Sequence, residues 1–393
     1  MSNPPTSCIA DKQLGADMDE YKLVVIKVGT STLMKPCQTV DMANMGGLVD
    51  LVASIQNIPH HNHRVIIVTS AAVGFGCLKL DLPARPDADD LSLKQAAAAV
   101  GQSYLIRLYE DFFSVHNLRC AQMLLSRPDF AAKDRYRNFR NAIFRLLDLG
   151  VVPIINENDC ICVDELRFGE NDTLSALVAV SCNADKLFLL TDVDCLELSS
   201  IELAKLDVDV AGDSQWGSGG METKLMAART AVSAGIECIL THGAKPEKVL
   251  EYLTDSAADS LMTIFRVSPD SMRFGVSEMT WRRRWILALP LKGTVTLTAV
   301  GANSIRNKRP LLATGICAVS GVFHRDEGVS LLDEETGEEI ARALMNMKSV
   351  EIEKVKGYSA NKFQKILGYP VASEVAFPRE YHINDRGPSS AGQ

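Results

Sequence analysis

A chain of 393 residues is long enough for two or three domains of ordinary size. Hydrophobic residues make up 47% and charged ones 23%, the balance of a globular protein, which excludes a disordered or collagen-like chain. The formal charge of -8 argues against a general nucleic-acid binder while leaving room for a local basic patch.

Residues 1–20 (MSNPPTSCIADKQLGADMDE) are polar and mixed, and read as a loose extension. They lack both the basic-then-apolar order of a secretion signal and the Arg-rich amphipathic pattern of an import sequence, so a cytoplasmic protein is expected. Nowhere is there an apolar run of the ~18 residues that a membrane span needs. Ten cysteines are scattered without metal-like pairing. Of these, Cys160, Cys162, Cys182, Cys195 and Cys238 lie in or near apolar segments and read as reduced core thiols.

Leu23-Val24-Val25-Ile26-Lys27-Val28 is an apolar run with β-branched residues, followed by Gly29-Thr30-Ser31. It reads as a buried strand entering a glycine turn. Met42, Met45, Leu48, Leu51, Val52 and Ile55 recur at helical spacing over residues 41–57. Residues 64–70 form a second buried strand ending in small residues and Gly74. A long helix is expected from Ser92 to about Ser114, a strand over 118–125, a helix over 139–149 and a strand over 151–155. A helix over 173–181 leads into a strand over 186–191. After a glycine loop at 217–220, a helix over 221–234 precedes a strand over 236–241. Strands alternating with helices predict an α/β fold, a mostly parallel sheet with helices on both faces. Ligands of such sheets bind beyond the carboxyl ends of the strands, where the clusters at Gly29, Ser70, Asn156 and Asp192 fall.

The pattern changes near residue 285. Trp281-Arg282-Arg283-Arg284-Trp285 leads into short strand-like pieces at 293–299, 315–323, 328–332, 338–344 and 371–375. Residues 286–385 are therefore expected to form a small, nearly neutral, β-rich barrel-like domain, and residues 386–393 a frayed tail.

Lys27 sits in an apolar strand, where a lysine needs an anion to meet. The glycine turn after it offers further N–H donors to that anion. The bland alternative is the snorkelling end of an edge strand. No GxxxxGK[ST] pattern is present. Gly217-Ser218-Gly219-Gly220-Met221-Glu222-Thr223-Lys224 is a glycine loop opening a helix, which suits phosphate binding. Lys224 opposes the helix dipole there, unless it reaches back to an anion; otherwise it is an ordinary solvated lysine. Asp159, Asn171 and Asp172 could hold a divalent metal or could bind an ammonium group and orient lysines; the bland alternative is that Asp159 and Asp172 are only turn and helix-cap residues. Seven scattered histidines and the absence of EF-hand spacing argue against zinc and against histidine acid–base chemistry. Two lysines on glycine loops, with carboxylates and amides at one sheet mouth, fit phosphoryl transfer. Mg²⁺ can then be held largely by nucleotide phosphates, so no protein residue is assigned as a metal ligand.

The segments Val25-Ile26-Lys27-Val28-Gly29-Thr30-Ser31, Val68-Thr69-Ser70-Ala71 and Val152-Pro153-Ile154-Ile155-Asn156-Glu157-Asn158-Asp159 carry a family resemblance. So do Phe168-Gly169-Glu170-Asn171-Asp172-Thr173-Leu174-Ser175-Ala176, Leu189-Leu190-Thr191-Asp192 and Gly219-Gly220-Met221-Glu222-Thr223-Lys224. Over residues 21–385 the chain resembles the glutamate 5-kinases, a branch of the amino acid kinase family with a C-terminal PUA-like domain. The resemblance implies a three-layer sandwich over residues 21–280, followed by the PUA-like domain at 286–385. It implies ATP-dependent phosphorylation of the γ-carboxylate of L-glutamate to L-glutamyl 5-phosphate, the first step of proline biosynthesis.

By the same resemblance Lys27 and Lys224 would stabilise the γ-phosphoryl group and Asp172 would orient them. Gly29, Thr30 and Ser31 would cradle phosphates, and Thr191, Asp192, Ser218, Gly219, Gly220, Met221 and Lys224 would contact ATP. Ser70, Ala71, Asp159 and Asn171 would line the glutamate site. Mg²⁺ dependence, feedback by proline and a homo-oligomer are further implications. Two departures from the family pattern stand out. Glu170 replaces the usual Asp, and the stretch after Asp192 lacks a Gly-x-Tyr-x-x-Asp-Pro segment, with Cys195-Leu196-Glu197-Leu198-Ser199 in its place. The alternatives are another amino acid kinase, acting on acetylglutamate, aspartate or carbamate, and an RNA-binding or regulatory protein with a relict kinase body. Residues 152–176 speak against the first and the near-neutral C-terminal domain against the second.

Overall fold

A computed structural model describes residues 21–35, 39–59, 62–87, 90–161, 171–192, 220–254, 262–266, 285–287, 289, 291–378 and 381–383. The first body is built on seven strands: β1 (Lys22–Val28), β2 (His63–Val68), β3 (Arg119–Leu125), β4 (Val151–Glu157), β5 (Lys186–Thr191), β6 (Glu237–His242) and β7 (Thr263–Phe265). Their order across the sheet is β3-β4-β2-β1-β5-β6-β7. All neighbours from β3 to β6 run parallel. At the edge β7 is antiparallel to β6, so the sheet is mixed. A three-residue strand is too short to show a period of two, which is why the sequence reading stopped at β6.

Around these strands lie α1 (Thr30–Leu33), α2 (Met42–Gln56), α3 (Ala72–Lys79), α4 (Leu91–Val115), α5 (Arg127–Ala131), α6 (Lys133–Asp148), α7 (Asp172–Cys182), α8 (Gly220–Ser233) and α9 (Glu247–Thr254). Strand alternation sorts them into two layers. Val24, Ile26 and Val28 of β1 face a cluster with Met45 and Leu48 of α2, Leu105 and Tyr109 of α4, and Tyr252 of α9. Leu23 and Val25 face the opposite cluster, with Phe139 and Ile143 of α6, Leu174 and Val178 of α7, and Ala227 and Ala231 of α8. Pro153 fits inside β4 because a proline there costs no ladder bond. Pairing to β2 begins only after it, at Ile154, while β3 pairs along the whole strand.

The periodicity located the long elements well. It missed α3, hidden in the small residues after β2, and the short α5; α6 starts at Lys133 rather than 139. Among the thiols, Cys182 and Cys238 are buried, but Cys160 is exposed, because it lies in the turn beyond the end of β4 rather than in the strand. Cys162 and Cys195 lie outside the described residues. No helix among the described residues is long and apolar enough to cross a membrane.

The second body has its own core, in which Val295, Leu297, Val329, Leu331, Ala341 and Ala343 meet Ile305 and Ile352. Its strands are β8 (Leu291–Leu297), β9 (Leu311–Leu312), β10 (Ile316–Gly321), β11 (Gly328–Asp333), β12 (Glu339–Leu344), β13 (Glu374–Ala376) and β14 (Tyr381–Ile383), with helices α10 (Ala299–Arg306), α11 (Ser349–Val355) and α12 (Phe363–Leu367). Five strands form one sheet, β10-β8-β11-β12-β14, and β13 pairs with β9. The strand expected over 293–299 stops at Leu297, because the Thr298 hydroxyl accepts the Gly301 N–H and opens α10. The piece expected at 371–375 is reduced to β13.

The bodies meet at residues 285–289. Trp285, Ile286, Leu287 and Leu289 pack into the core of the first body beside Leu344 of β12. Trp285 Nε1 donates to the Phe130 carbonyl at 2.8 Å, and Arg342 Nη1 donates to the Leu287 carbonyl at 3.1 Å.

Candidate active site

Lys27 is the sixth residue of β1, and strand alternation places its side chain on the same face as Leu23 and Val25, under α7 and α8. The strand is central, with Lys27 paired to Val68 on one side and Leu189 on the other, so the edge-strand reading does not hold. Only 3% of the side chain is exposed. Its charge is met by Asp172, whose Oδ1 lies 2.6 Å from Lys27 Nζ. Asp172, fully buried, is the first residue of α7, with Asn171 in the N-cap position before it. A carboxylate there also gains from the helix dipole.

The other carboxylate oxygen, Oδ2, accepts from Lys224 Nζ at 3.3 Å and from Thr223 Oγ1 at 3.1 Å. Lys224 stands in the first turns of α8 and is 7% exposed, so it is not a solvated surface lysine. It reaches back to an anion, which offsets the repulsion from its own helix N-terminus. One carboxylate thus gathers two ammonium groups that the chain separates by almost two hundred residues. The cost of burying these charges is met only because each has an opposite partner. The charge of Asp172 is also felt at Cys238 of β6, whose thiol pKa is pushed up first by burial and then by that negative charge.

Asn171, the preceding residue, belongs to a different kind of network. Its Nδ2 donates to the Thr69 carbonyl at 2.6 Å and to Asn156 Oδ1 at 2.7 Å. Asn156, near the end of β4, also accepts the Glu157 N–H at 2.9 Å, and its Nδ2 donates to Gln102 Oε1 on α4 at 2.7 Å. Thr69 Oγ1 and Tyr109 Oη are hydrogen-bonded to each other at 3.0 Å. Every member except the hydroxyls is an amide, so the network itself is neutral.

The remaining site residues take positions around these two networks. Ser70 and Ala71 follow β2, and Ala71 adopts a left-handed backbone (φ 81°) that opens α3. Such a conformation in a residue with a Cβ is strained and is typical of places where the backbone serves a ligand. Ser70 Oγ is buried and has no hydrogen-bond partner among the described residues. Asp159 is half-buried in the turn after β4. That turn is tied down by the Asn158 N–H to Leu125 O at 2.9 Å and by Gln95 Nε2 to Cys160 O at 3.2 Å.

Gly29 and Ser31 lie directly in front of the Lys27 ammonium. A Cβ added at Gly29 would stand 3.6 Å from Lys27 Nζ and 3.7 Å from Ser31 Oγ, filling the space before the cation. Thr30 is half-buried beside them. Thr191 ends β5 with its hydroxyl donated to Asp192 Oδ1 at 3.3 Å, and its carbonyl accepts the Gly243 N–H at 2.7 Å. Gly220 and Met221 form the start of α8. Ser218, Gly219, Glu170 and the segment 195–199 lie outside the described residues.

These parts comprise two clustered cations with a glycine turn beside them and, one residue along from their shared carboxylate, a network of amides. Residues 22–242 match the model of the amino acid kinase family, and residues 293–367 match the PUA domain. The glutamate 5-kinase of Rippkaea orientalis is 40% identical over 381 residues, covering 92% of this chain and 99% of that protein. That of Acaryochloris marina is 42% identical over 372 residues, covering 90% and 96%. The chain belongs to the glutamate 5-kinase branch of the amino acid kinase family. A resemblance first carried by short motifs therefore extends over nearly the whole length of its relatives.

The sequence reading did not single out Gln102. Its signal was present but faint: a polar side chain on the stripe of α4 marked by Ala98, Gly101, Leu105 and Tyr109, all of them buried.

Proposed function

We propose that this protein transfers the γ-phosphoryl group of ATP to the γ-carboxylate of L-glutamate, giving L-glutamyl 5-phosphate and ADP. The observation that carries this reading is the bridging of Lys27 and Lys224 by Asp172, one residue away from the amide network of Asn171. A carboxylate oxygen of the substrate attacks the γ-phosphorus while the bond to the bridging β–γ oxygen breaks, and that electron pair leaves on ADP. The nucleophile is already ionised at neutral pH, so no protein base is needed. Lys27 and Lys224 neutralise the charge spread over the transferring group, and Asp172 holds them in place beforehand.

Gly29, Thr30 and Ser31 cradle the phosphates beside the Lys27 ammonium, and the start of α8 with Thr191 and Asp192 binds the rest of the nucleotide. Both oxygens of Asp172 are committed to lysines and a hydroxyl. Mg²⁺ would then be held mainly by the nucleotide phosphates and would supply neutralisation of their charge. On the amino-acid side, Asn171 Oδ1 and the Asp159 carboxylate accept from the substrate ammonium. Ser70 and the N–H groups that open α3 receive a substrate carboxylate. Binding both reactants in line supplies most of what such a reaction requires.

The test is ADP release measured with and without L-glutamate, and then with N-acetylglutamate, aspartate or carbamate. Turnover only with free L-glutamate is expected; turnover only with one of the others replaces the substrate assignment. ATP turnover with none of them, together with salt-sensitive RNA binding, would favour a relict kinase body. Proline inhibition and assembly into a homo-oligomer are proposed alongside, on the family resemblance. A proline titration of the same assay and sedimentation of the full chain test them.

A further inference from the structure

The amide of Asn171 has two edges, which differ completely in what they recognise. With Nδ2 bonded inward to the protein, Oδ1 is left as an acceptor for an ammonium group; turned the other way, the substrate would meet a donor. The structure contains the device that decides between them. The Glu157 N–H donates to Asn156 Oδ1 at 2.9 Å, and a backbone donor has only one polarity. Asn156 must therefore present its oxygen to Asn171, whose Nδ2 meets it at 2.7 Å and also meets the Thr69 carbonyl at 2.6 Å. A reversed Asn171 would set an acceptor against two acceptors.

The remaining end of Asn156, its Nδ2, is 2.7 Å from Gln102 Oε1. Gln102, Asn156 and Asn171 are only 8%, 2% and 6% exposed, so a lost partner in this chain is not replaced by bulk water. Gln102 reaches this far because α3 and α4 cross with their backbones in contact. A Cβ on Gly101 would fall 1.8 Å from the Ala72 carbonyl, and one on Gly76 1.8 Å from the Ala97 carbonyl. The same approach sets Gly101, the neighbour of Gln102, against Ala72 at the start of α3, and Gln102 Nε2 is itself buried with no acceptor among the described residues.

We propose that Gln102 is a positioning residue for the amino-acid substrate: by accepting from Asn156 Nδ2 it seats the Asn156 amide, whose polarity the Glu157 N–H sets, and so holds the Asn171 amide with its oxygen toward the substrate ammonium. This rests on the glutamate-site assignment of Asn171 made above. Replacing Gln102 by Leu keeps the volume and removes the acceptor, leaving the Asn156 amino group buried and unpaired. Steady-state kinetics of Gln102→Leu should show KM for L-glutamate raised roughly tenfold or more, from a lost buried acceptor. The KM for ATP should stay within about twofold, because the cationic network is untouched.

If Gln102→Leu does not fold, Gln102→Met, closer in length and flexible, should give the same split. The double variant Gln102→Leu/Asn171→Ala should have a glutamate KM no higher than that of Asn171→Ala alone, since the effect of Gln102 passes through Asn171. An unchanged glutamate KM, an equal rise in both KM values, or additive losses in the double variant would each overturn the proposal. Asn171→Ala by itself distinguishes the two levels. If it leaves the glutamate KM unchanged, the assignment of Asn171 is wrong. If it raises that KM while Gln102→Leu does not, only the role of Gln102 is lost.

Discussion

Asn171 and Asp172 are neighbours in sequence, and they anchor two networks of opposite character. Asp172 holds an ionic cluster in which one carboxylate bridges two ammonium groups, at 2.6 and 3.3 Å. Asn171 holds a chain of neutral amides running through Asn156 to Gln102. The contrast matches two separate tasks. Charge that develops during transfer is stabilised by fixed opposite charge. A small zwitterion is recognised by directed donors and acceptors, which discriminate by leaving wrong ligands unpaired. On the roles proposed for them, placing both at the start of α7 would keep the phosphoryl acceptor and the phosphoryl-stabilising cations in a fixed relation.

The comparison is broken most directly at Asp172. In Asp172→Asn two buried ammonium groups lose their counter-charge, so denaturant unfolding should show a loss of roughly 3–5 kcal/mol, the cost of breaking a buried ion pair from one side. Turnover should fall as well. A loss below about 1 kcal/mol would mean that the lysines find solvent or another anion, and that Asp172 is not their organiser. Next in size is Lys224→Ala, which removes one cation and leaves Asp172 paired with Lys27. Here kcat should drop by roughly 10²–10³-fold, as when one preorganised donor is removed from a transition state, with KM for glutamate little changed. Unchanged turnover would take Lys224 out of the chemistry.

On the amide side the expected pattern reverses. Asn171→Ala and Asp159→Ala should each raise KM for L-glutamate by roughly 10- to 100-fold, the range for losing a hydrogen bond to a charged group. The KM for ATP should move far less. If either variant instead lost ATP affinity, the separation of the two networks would be the wrong description.

Much of this was legible in the sequence, for physical reasons that can be named. Lys27 declares itself because a lysine in an apolar strand needs an anion, and Gly29, Ser70, Asn156 and Asp192 because each follows the end of a predicted strand. The identity of the anion was less visible. Asp172 looked equally suited to capping α7, and only the tertiary structure puts Asn171 at the cap and Asp172 between the lysines. Gln102 left almost no local mark, since one polar residue in an alanine-rich helix gives no period of its own. Short elements such as α5, β7 and the helices of the second body escaped for the same reason: a few residues cannot establish periodicity. Cys160 was misplaced because an apolar neighbourhood in sequence ended at a turn in space.

The smallest predicted effect lies at Trp285, which belongs to neither network. Its indole N–H donates to the Phe130 carbonyl inside the junction between the bodies, and the ring packs with Leu287 and Leu344. Trp285→Phe keeps an aromatic ring and removes the donor, leaving the carbonyl of a buried residue unsatisfied. Thermal or denaturant unfolding should register a loss of about 1–2 kcal/mol, and kcat and both KM values should stay within about twofold. The contact has one route to the site: α5 follows β3, and the Leu125 carbonyl at the end of β3 accepts the Asn158 N–H next to Asp159. Should Trp285→Phe raise the glutamate KM while sparing that for ATP, the junction acts through this turn on the amide network. A purely structural junction leaves the two KM values alone, because the Asp172 cluster and the Asn171 chain are each held by contacts within the first body.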